Sequence, residues 1–371
     1  MRDWRVGVIN QRLMMVGHKI AKWLLIIFLV TNVTYVTLGA IHTPLHHIDV
    51  IASWGYKALA LYQHDWNLEF LTNWQGEFAH PQYPILLPII FTSLYHLIGS
   101  VQPIVPSLLS PLIYVLILIF CYKVLRKLKF NFLFSLFGTY VCSMFPSLIA
   151  QAGREHAMMA DIYLCLLYWL GVWVMLNAKS KPYLWWWLVP LVIVGSLIKT
   201  EGILLVTFLL FSPQTKQLKL TQIGIASLGL IGWQVLLNWL QIPSSYAFGV
   251  PNLFEIGSRL IIVLGESITE LFGNLRNWYF FWWLYLAAFT LFPLSWFYPQ
   301  KKLIKIMTAI MIAWIGMYLF ASIPIVGYVS SSLDRLLLQT LSLWYLIFIL
   351  QIASICHRLD RDGNGFFRRA G

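Results

Sequence analysis

The sequence predicts an all-α polytopic membrane protein with about 10 transmembrane helices and a long first extracytoplasmic loop carrying juxtamembrane helices. Three observations predict it. Of 371 residues, 59% are hydrophobic and only 11% are charged, whereas an ordinary soluble domain carries about 25% charged residues. Apolar runs close to the roughly 20 residues that cross a bilayer recur along the chain. The segments between those runs alternate between basic and acidic.

The first run, 20–40, follows Arg12, Lys19 and Lys22. It is longer than a signal-peptide core and has no convincing small-residue cleavage site, so it reads as a retained anchor. Residues 41–103 form the first external loop. Within it, 83–100 is apolar, but Pro84 and Pro88 sit in its first turns. That stretch reads as an interfacial or re-entrant helix. If it crossed the bilayer, every later loop would invert. Further spans follow at 104–122, 131–150, 161–178, 183–198, 202–213, 221–241, 278–298, 303–325 and 336–356, with 202–213 short enough to be tilted or broken. Residues 357–371 form a tail. No repeat, low-complexity linker or soluble boundary divides the chain, so 1–371 reads as one integral-membrane domain.

Charge sets the orientation. The segments Met1–Lys22, Lys123–Lys129, Lys179–Lys181, Lys216–Lys219, Lys301–Lys305 and His357–Gly371 hold 20 of the 26 Lys and Arg residues and only three acids. The segments 41–103, 151–161, 199–201, 242–277 and 327–335 hold the other six bases and eleven acids. The positive-inside rule makes the first group cytoplasmic and places both termini inside an inner or plasma membrane. The net charge of +12 therefore reports orientation rather than nucleic-acid binding, since no basic cluster is interleaved with base-stacking aromatics. The four cysteines form no CxxC, so neither a disulfide framework nor a thiolate metal site is indicated.

Ionisable groups beside hydrocarbon are costly, so a cluster of them on one face suggests a site. Here they gather outside. Asp49 follows the first span and serves either as a helix N-terminal charge or as a general base, with His46 and His47 nearby and Glu77 an alternative base further along the loop. Glu155, His156 and Asp161 open the fourth span, as capping charges or as substrate or metal contacts. Lys199 and Glu201 occupy a turn, as a local pair or as ligand contacts. Arg335 stands near the external head of the last span, where the helix dipole disfavours a cation. Its fork suits phosphate, or it pairs with Asp334 or Glu201.

Five segments together resemble the GT-C superfamily of integral-membrane glycosyltransferases. They are Asp49-Val50-Ile51-Ala52-Ser53-Trp54-Gly55-Tyr56-Lys57-Ala58, His80-Pro81-Gln82-Tyr83-Pro84, Ala160-Asp161, Lys199-Thr200-Glu201-Gly202 and Ser332-Leu333-Asp334-Arg335-Leu336-Leu337. Their order and their external positions are similar to those of bacterial transferases related to protein O-mannosyltransferases and to the aminoarabinose transferase of lipid A, over about residues 20 to 355. The resemblance implies a GT-C-like fold and transfer of a sugar from a polyprenyl-phosphate-linked donor to a glycan, lipid or protein acceptor of the cell envelope. It implies Asp49 as catalytic base and Arg335 as donor-phosphate ligand. Lys199, Glu201, His80, Tyr83 and Lys57 follow as substrate contacts. Asp161 and Glu155 follow as metal or acceptor contacts, and whether a divalent metal takes part is left open by the resemblance. The chain departs from the pattern in its short length, in lacking a large periplasmic domain and in having a single acid at Asp49 rather than a pair. The competing class is a multi-span transporter or lipid flippase, which would place paired charges in mid-span and usually repeat its halves; neither is seen here.

Overall fold

The computed structural model describes residues 2–68, 71–72, 80–242, 251–291, 298–321 and 325–362. Glu77 and the tail residues 363–371 lie outside the described residues. The described chain is all-helical. Its α-helices are α1 (Arg2–His42), α2 (Gly55–Gln63), α3 (Leu86–Ile98), α4 (Ile104–Ser107), α5 (Leu109–Lys127), α6 (Phe132–Ser143), α7 (Pro146–Ile149), α8 (Ala160–Asn177), α9 (Leu188–Ile198), α10 (Val206–Leu210), α11 (Lys216–Trp239), α12 (Leu253–Ile268), α13 (Leu275–Trp278), α14 (Phe281–Leu291), α15 (Tyr298–Phe320), α16 (Ile325–Gln339) and α17 (Leu341–Asp362).

Five helical stretches are long and apolar enough to cross a membrane: Val16–His42, Ile104–Lys127, Ala160–Asn177, Lys216–Trp239 and Gln300–Phe320. Two more form if bent pairs count as single spans, α6 with Pro146–Arg154, bent by 70°, and α16 with the following Leu341–Cys356, bent by 63°. The chain is thus a membrane protein with five to seven candidate spans among the described residues. The other expected crossings, 183–198, 202–213 and 278–298, fall on the shorter apolar helices Pro182–Ile198, Thr200–Leu210 and Phe281–Thr290. Helix α3 has 13 residues, which at 1.5 Å each is about 20 Å and short of a ~30 Å hydrocarbon core.

The core is built around α8, which is apolar on every side and buried along most of its length. A helix of that kind belongs at the centre of a bundle. It packs on α5, α9, α16 and α17. Buried hydroxyls fasten the bundle: Tyr114 donates to the Ser143 carbonyl at 2.8 Å and Tyr345 to that of Gly138 at 2.5 Å. Helix α1 packs on the turn Ala150–Arg154 through Gly39 and Gly153. Gly153 has φ +147°, and a Cβ there would lie 2.1 Å from the Val36 carbonyl oxygen, so only glycine allows this crossing.

One element was not expected. The loop 242–277 contains α12, whose start is closed by a reciprocal box in which Asn252 and Glu255 cap each other's amides. Leu253, Phe254 and Ile261 are exposed on it, as on a helix that lies against a membrane surface.

Candidate functional site

At one end of the bundle a cavity of about 530 Å³ is lined by residues from segments far apart in sequence. These are His47 and Asp49 after α1, Gln151, Arg154, Glu155 and His156 before α8, Asn274, Arg276 and Asn277 around α13, and Ser331, Asp334 and Arg335 on α16. Every charged member belongs to the group that the charge partition sets outside.

Two of the three π-helical turns among the described residues, Val50–Trp54 and Ala150–Arg154, begin or end at this wall, and the third, Thr269–Gly273, leads into it. Such turns add a residue to the helical repeat and re-aim the side chains that follow. The first begins at Asp49. The second ends in Arg154, and the left-handed Gly153 within it turns the chain towards Glu155 and His156. The third carries Glu270, whose carboxylate accepts from Asn274 at 2.8 Å, Asn277 at 3.1 Å and Trp278 Nε1 at 3.2 Å. Glu270 therefore fixes the loop that presents Arg276.

Within the cavity Arg335 Nη1 donates to Asp49 Oδ2, and Arg335 Nε donates to the Ser331 carbonyl at 3.1 Å. These two side chains are about one-fifth exposed, 20% for Arg335 and 21% for Asp49, so both remain reachable from the cavity. Glu155 is a hub: it pairs with Arg154 at 2.7 Å and with Arg276 at 3.1 Å. His47 and His156 meet edge to face with centroids 4.6 Å apart, and His47 Nδ1 accepts from the Asp49 amide at 3.1 Å. Burial pushes His156 down to about 4, with His47 adding to the effect and Glu155 opposing it. Burial also lowers His47, against the opposing Asp49 charge. Both rings are therefore neutral at pH 7. Three buried polar atoms on this wall, Gln151 Oε1, Arg154 Nε and His156 Nδ1, have no hydrogen-bond partner within the protein. Buried polar atoms seldom stay unpaired, so they suit a polar ligand.

The other residues singled out from the sequence lie behind this wall. Asp161 and Lys199 form a buried pair at 2.8 Å, 1% and 6% exposed, and Gln339 adds a 2.6 Å bond to the same carboxylate oxygen. Glu201 stands 3.5 Å from Lys199. The turn that holds this group closes tightly, because a Cβ on Gly202 would sit 2.1 Å from the Gly195 carbonyl. Lys57 is wholly buried and donates to the carbonyls of His80 (2.9 Å), Pro81 (3.4 Å) and Tyr83 (2.9 Å). Burial pushes its ammonium down to about 7, while the three carbonyls favour the charged form. The Tyr83 ring stacks on Trp54 at 5.4 Å and on His80 at 4.7 Å. Of the residues singled out from the sequence, Asp49, Glu155 and Arg335 come together at the cavity. Asp161, Lys199 and Glu201 brace α8 and α16 behind it, and Lys57 holds the His80–Tyr83 loop.

Residues that the sequence argument passed over are Gln151, Asn274, Arg276, Asn277 and the bracing Glu270 and Gln339. Arg276 and Glu270 were countable among the external charges. The amides carried no signal. The described donors do not fit a metal: among the described residues no three His, Cys, Asp or Glu side chains converge, and Asp161 is already neutralised by Lys199. Comparison with protein-family profiles, curated proteins and solved structures gives no match for this chain.

Proposed function

We propose that this chain is a membrane glycosyltransferase of the GT-C kind, which moves a sugar from a polyprenyl-phosphate-linked donor to a hydroxyl acceptor of the cell envelope on the extracytoplasmic face. The observation that carries the reading is the meeting of Asp49 and Arg335, 286 positions apart, at a polar cavity at one end of the bundle. A transfer of this kind needs a proton acceptor and a phosphate-binding cation in one place. Asp49 and Arg335 would supply the two, and their side chains are already in contact.

The chemistry follows from that contact. A donor phosphate entering the cavity competes with the Asp49 carboxylate for the Arg335 fork, since each offers two oxygens that can accept its paired N–H groups. Displaced from Arg335, the carboxylate can accept the proton of an acceptor hydroxyl. The acceptor oxygen bonds to the anomeric carbon as the bond from that carbon to the phosphate oxygen breaks. The lipid phosphate leaves with the electron pair, and its charge is met by Arg335, with Arg154 and Arg276 on the same wall. Gln151, Asn274, Asn277 and Ser331 supply neutral partners for sugar hydroxyls.

The test is incubation of the purified protein with polyprenyl-phosphate sugars and envelope acceptors, with mass spectrometry of the products. Transfer should depend on Arg335: Arg335→Ala weakens donor binding, and Arg335→Lys restores it only in part because the fork is lost. Unchanged donor affinity in Arg335→Ala would move the phosphate role to Arg154. A donor that binds and is never consumed would point to transport instead.

A further inference from the structure

A second cavity lies at the other end of α1. It has a volume of about 840 Å³ and is a groove between α1 and the start of α6. Helices α1 and α6 touch where Phe28 stacks on Tyr140 at 5.5 Å and where Asn32 donates to Ser143 at 2.9 Å. Towards the chain start they part, and the groove opens between them. Its walls divide by chemistry along the helix. His18, Lys19 and Lys22 line it towards the chain start; Leu25 and Phe28 on α1 and Phe134 and Phe137 on α6 give it apolar walls. Lys22 reaches across the groove, its Nζ 5.4 Å from the Phe132 ring. From Lys22 to Gly39, which packs beside Arg154, the helix rises about 26 Å at 1.5 Å per residue. The groove therefore sits a membrane thickness away from the Asp49 cavity, at the chain's basic face.

We propose that this groove is a binding site for an anionic glycerophospholipid, its phosphate head on Lys19 and Lys22 and one acyl chain lying along Leu25, Phe28, Phe134 and Phe137. Cations at the headgroup level beside an apolar cleft between two helices match that ligand. A plain lipid-facing surface offers the apolar wall without the cleft or the paired cations. The assignment does not depend on the glycosyl-transfer reading. Filling the groove would fix the basic end of α1 against α6, and α1 is the helix whose far end carries the Asp49 loop.

The experiment is native mass spectrometry of the full chain in detergent, titrated with phosphatidylglycerol, with phosphatidylcholine of the same acyl chains and with inorganic phosphate. The wild-type protein should prefer phosphatidylglycerol by about 30-fold, from two lysines at a membrane-surface anion. The double variant Lys19→Gln/Lys22→Gln should bind both lipids alike, with its thermal unfolding unchanged. Phe137→Ala, at an exposed position, should weaken both lipids and keep their ratio. Equal binding of the two lipids by the wild type would overturn the proposal, as would a preference that survives in the double variant. Displacement of phosphatidylglycerol by inorganic phosphate at a similar concentration would show an anion site with no lipid specificity, and would overturn it too.

Discussion

Replacing Asp49 by Asn separates a catalytic carboxylate from a structural one, because the two roles predict effects of different size. Asn keeps the shape, and its amide oxygen can still accept from Arg335 Nη1, which now bonds the carboxylate. Arg335 keeps its charge, so the remaining bond is still charge-assisted and only the ion-pair attraction is lost, about 1 kcal/mol or less for a partly exposed pair. The one-fifth exposure of both partners keeps the loss at the low end. Folding should barely change. Turnover should fall by about 10²–10⁴-fold, the usual contribution of a general base, or about 3–5.5 kcal/mol of barrier. The assay is sugar transfer at saturating donor, read beside thermal unfolding of the same preparation. Turnover within tenfold of wild type, with folding intact, would refute the base assignment. Loss of folded protein in step with activity would make the carboxylate a cap and brace for Arg335. The exchanged pair Asp49→Arg with Arg335→Asp gives an independent reading. It restores the ion pair and moves the base, so it should fold and stay inactive; activity there would sink the catalytic role.

Three further outcomes follow from the surrounding contacts. Lys199→Met leaves the Asp161 charge buried with only Gln339 beside it and should destabilise the protein by about 3–5 kcal/mol; adding Asp161→Leu should recover most of that in thermal unfolding. Lys57→Met strands three carbonyls of the His80–Tyr83 loop and should cost about 1–3 kcal/mol, with faster proteolysis or hydrogen exchange in that loop as its local signature. His156 is held down at about 4 by burial, so the unfolded chain takes up a proton first as pH falls. Its contribution to stability is complete above about 6.5 and disappears towards about 4. Melting temperature should therefore decline over that window, and His156→Gln should flatten the decline.

The fold class was legible because hydropathy integrates over many residues: α1, α5, α8, α11 and α15 each hold an apolar run long enough to read directly. The broken elements were legible only in part. Pro146 marks the 70° bend after α6, since it opens α7 and holds Phe145 extended, whereas the 63° bend at Thr340 depends on how α16 packs and no local residue pattern announces it. Helix α12 is readable in principle from Asn252 and Glu255 three residues apart, but its apolar face is too short for a span, so hydropathy alone does not distinguish it from loop. At the site, charge was informative and neutrality was not. Asp49, Glu155 and Arg335 stood out because an ion beside hydrocarbon needs a reason. Gln151, Asn274 and Asn277 matter through position alone. The same signal also over-reached: Asp161, Lys199 and Lys57 stood out as ions, yet their partners are a neighbouring charge and three backbone carbonyls. A sequence shows that a charge must be compensated, not whether a ligand or the protein itself compensates it.

The irregular backbone and the cavity belong together for a physical reason. In hydrocarbon every amide and carbonyl must find a partner within its own helix, so a π turn or a broken helix is tolerated only where protein or a polar cavity receives the displaced groups. Ala150–Arg154 shows how this works. Its π turn and the glycine at φ +147° interrupt the run from α6 towards α8, and the Glu155 and His156 amides both turn back to the Ala150 carbonyl, at 3.1 and 2.9 Å. The interruption is thus satisfied internally, and the side chains of Arg154, Glu155 and His156 are delivered to the cavity instead of continuing a helical face. A straight helix would have placed them about 100° apart, in three different directions. Replacing Gly153 by alanine would force the turn against the Val36 carbonyl, so the same residue that allows the α1 crossing also sets the aim of the polar wall.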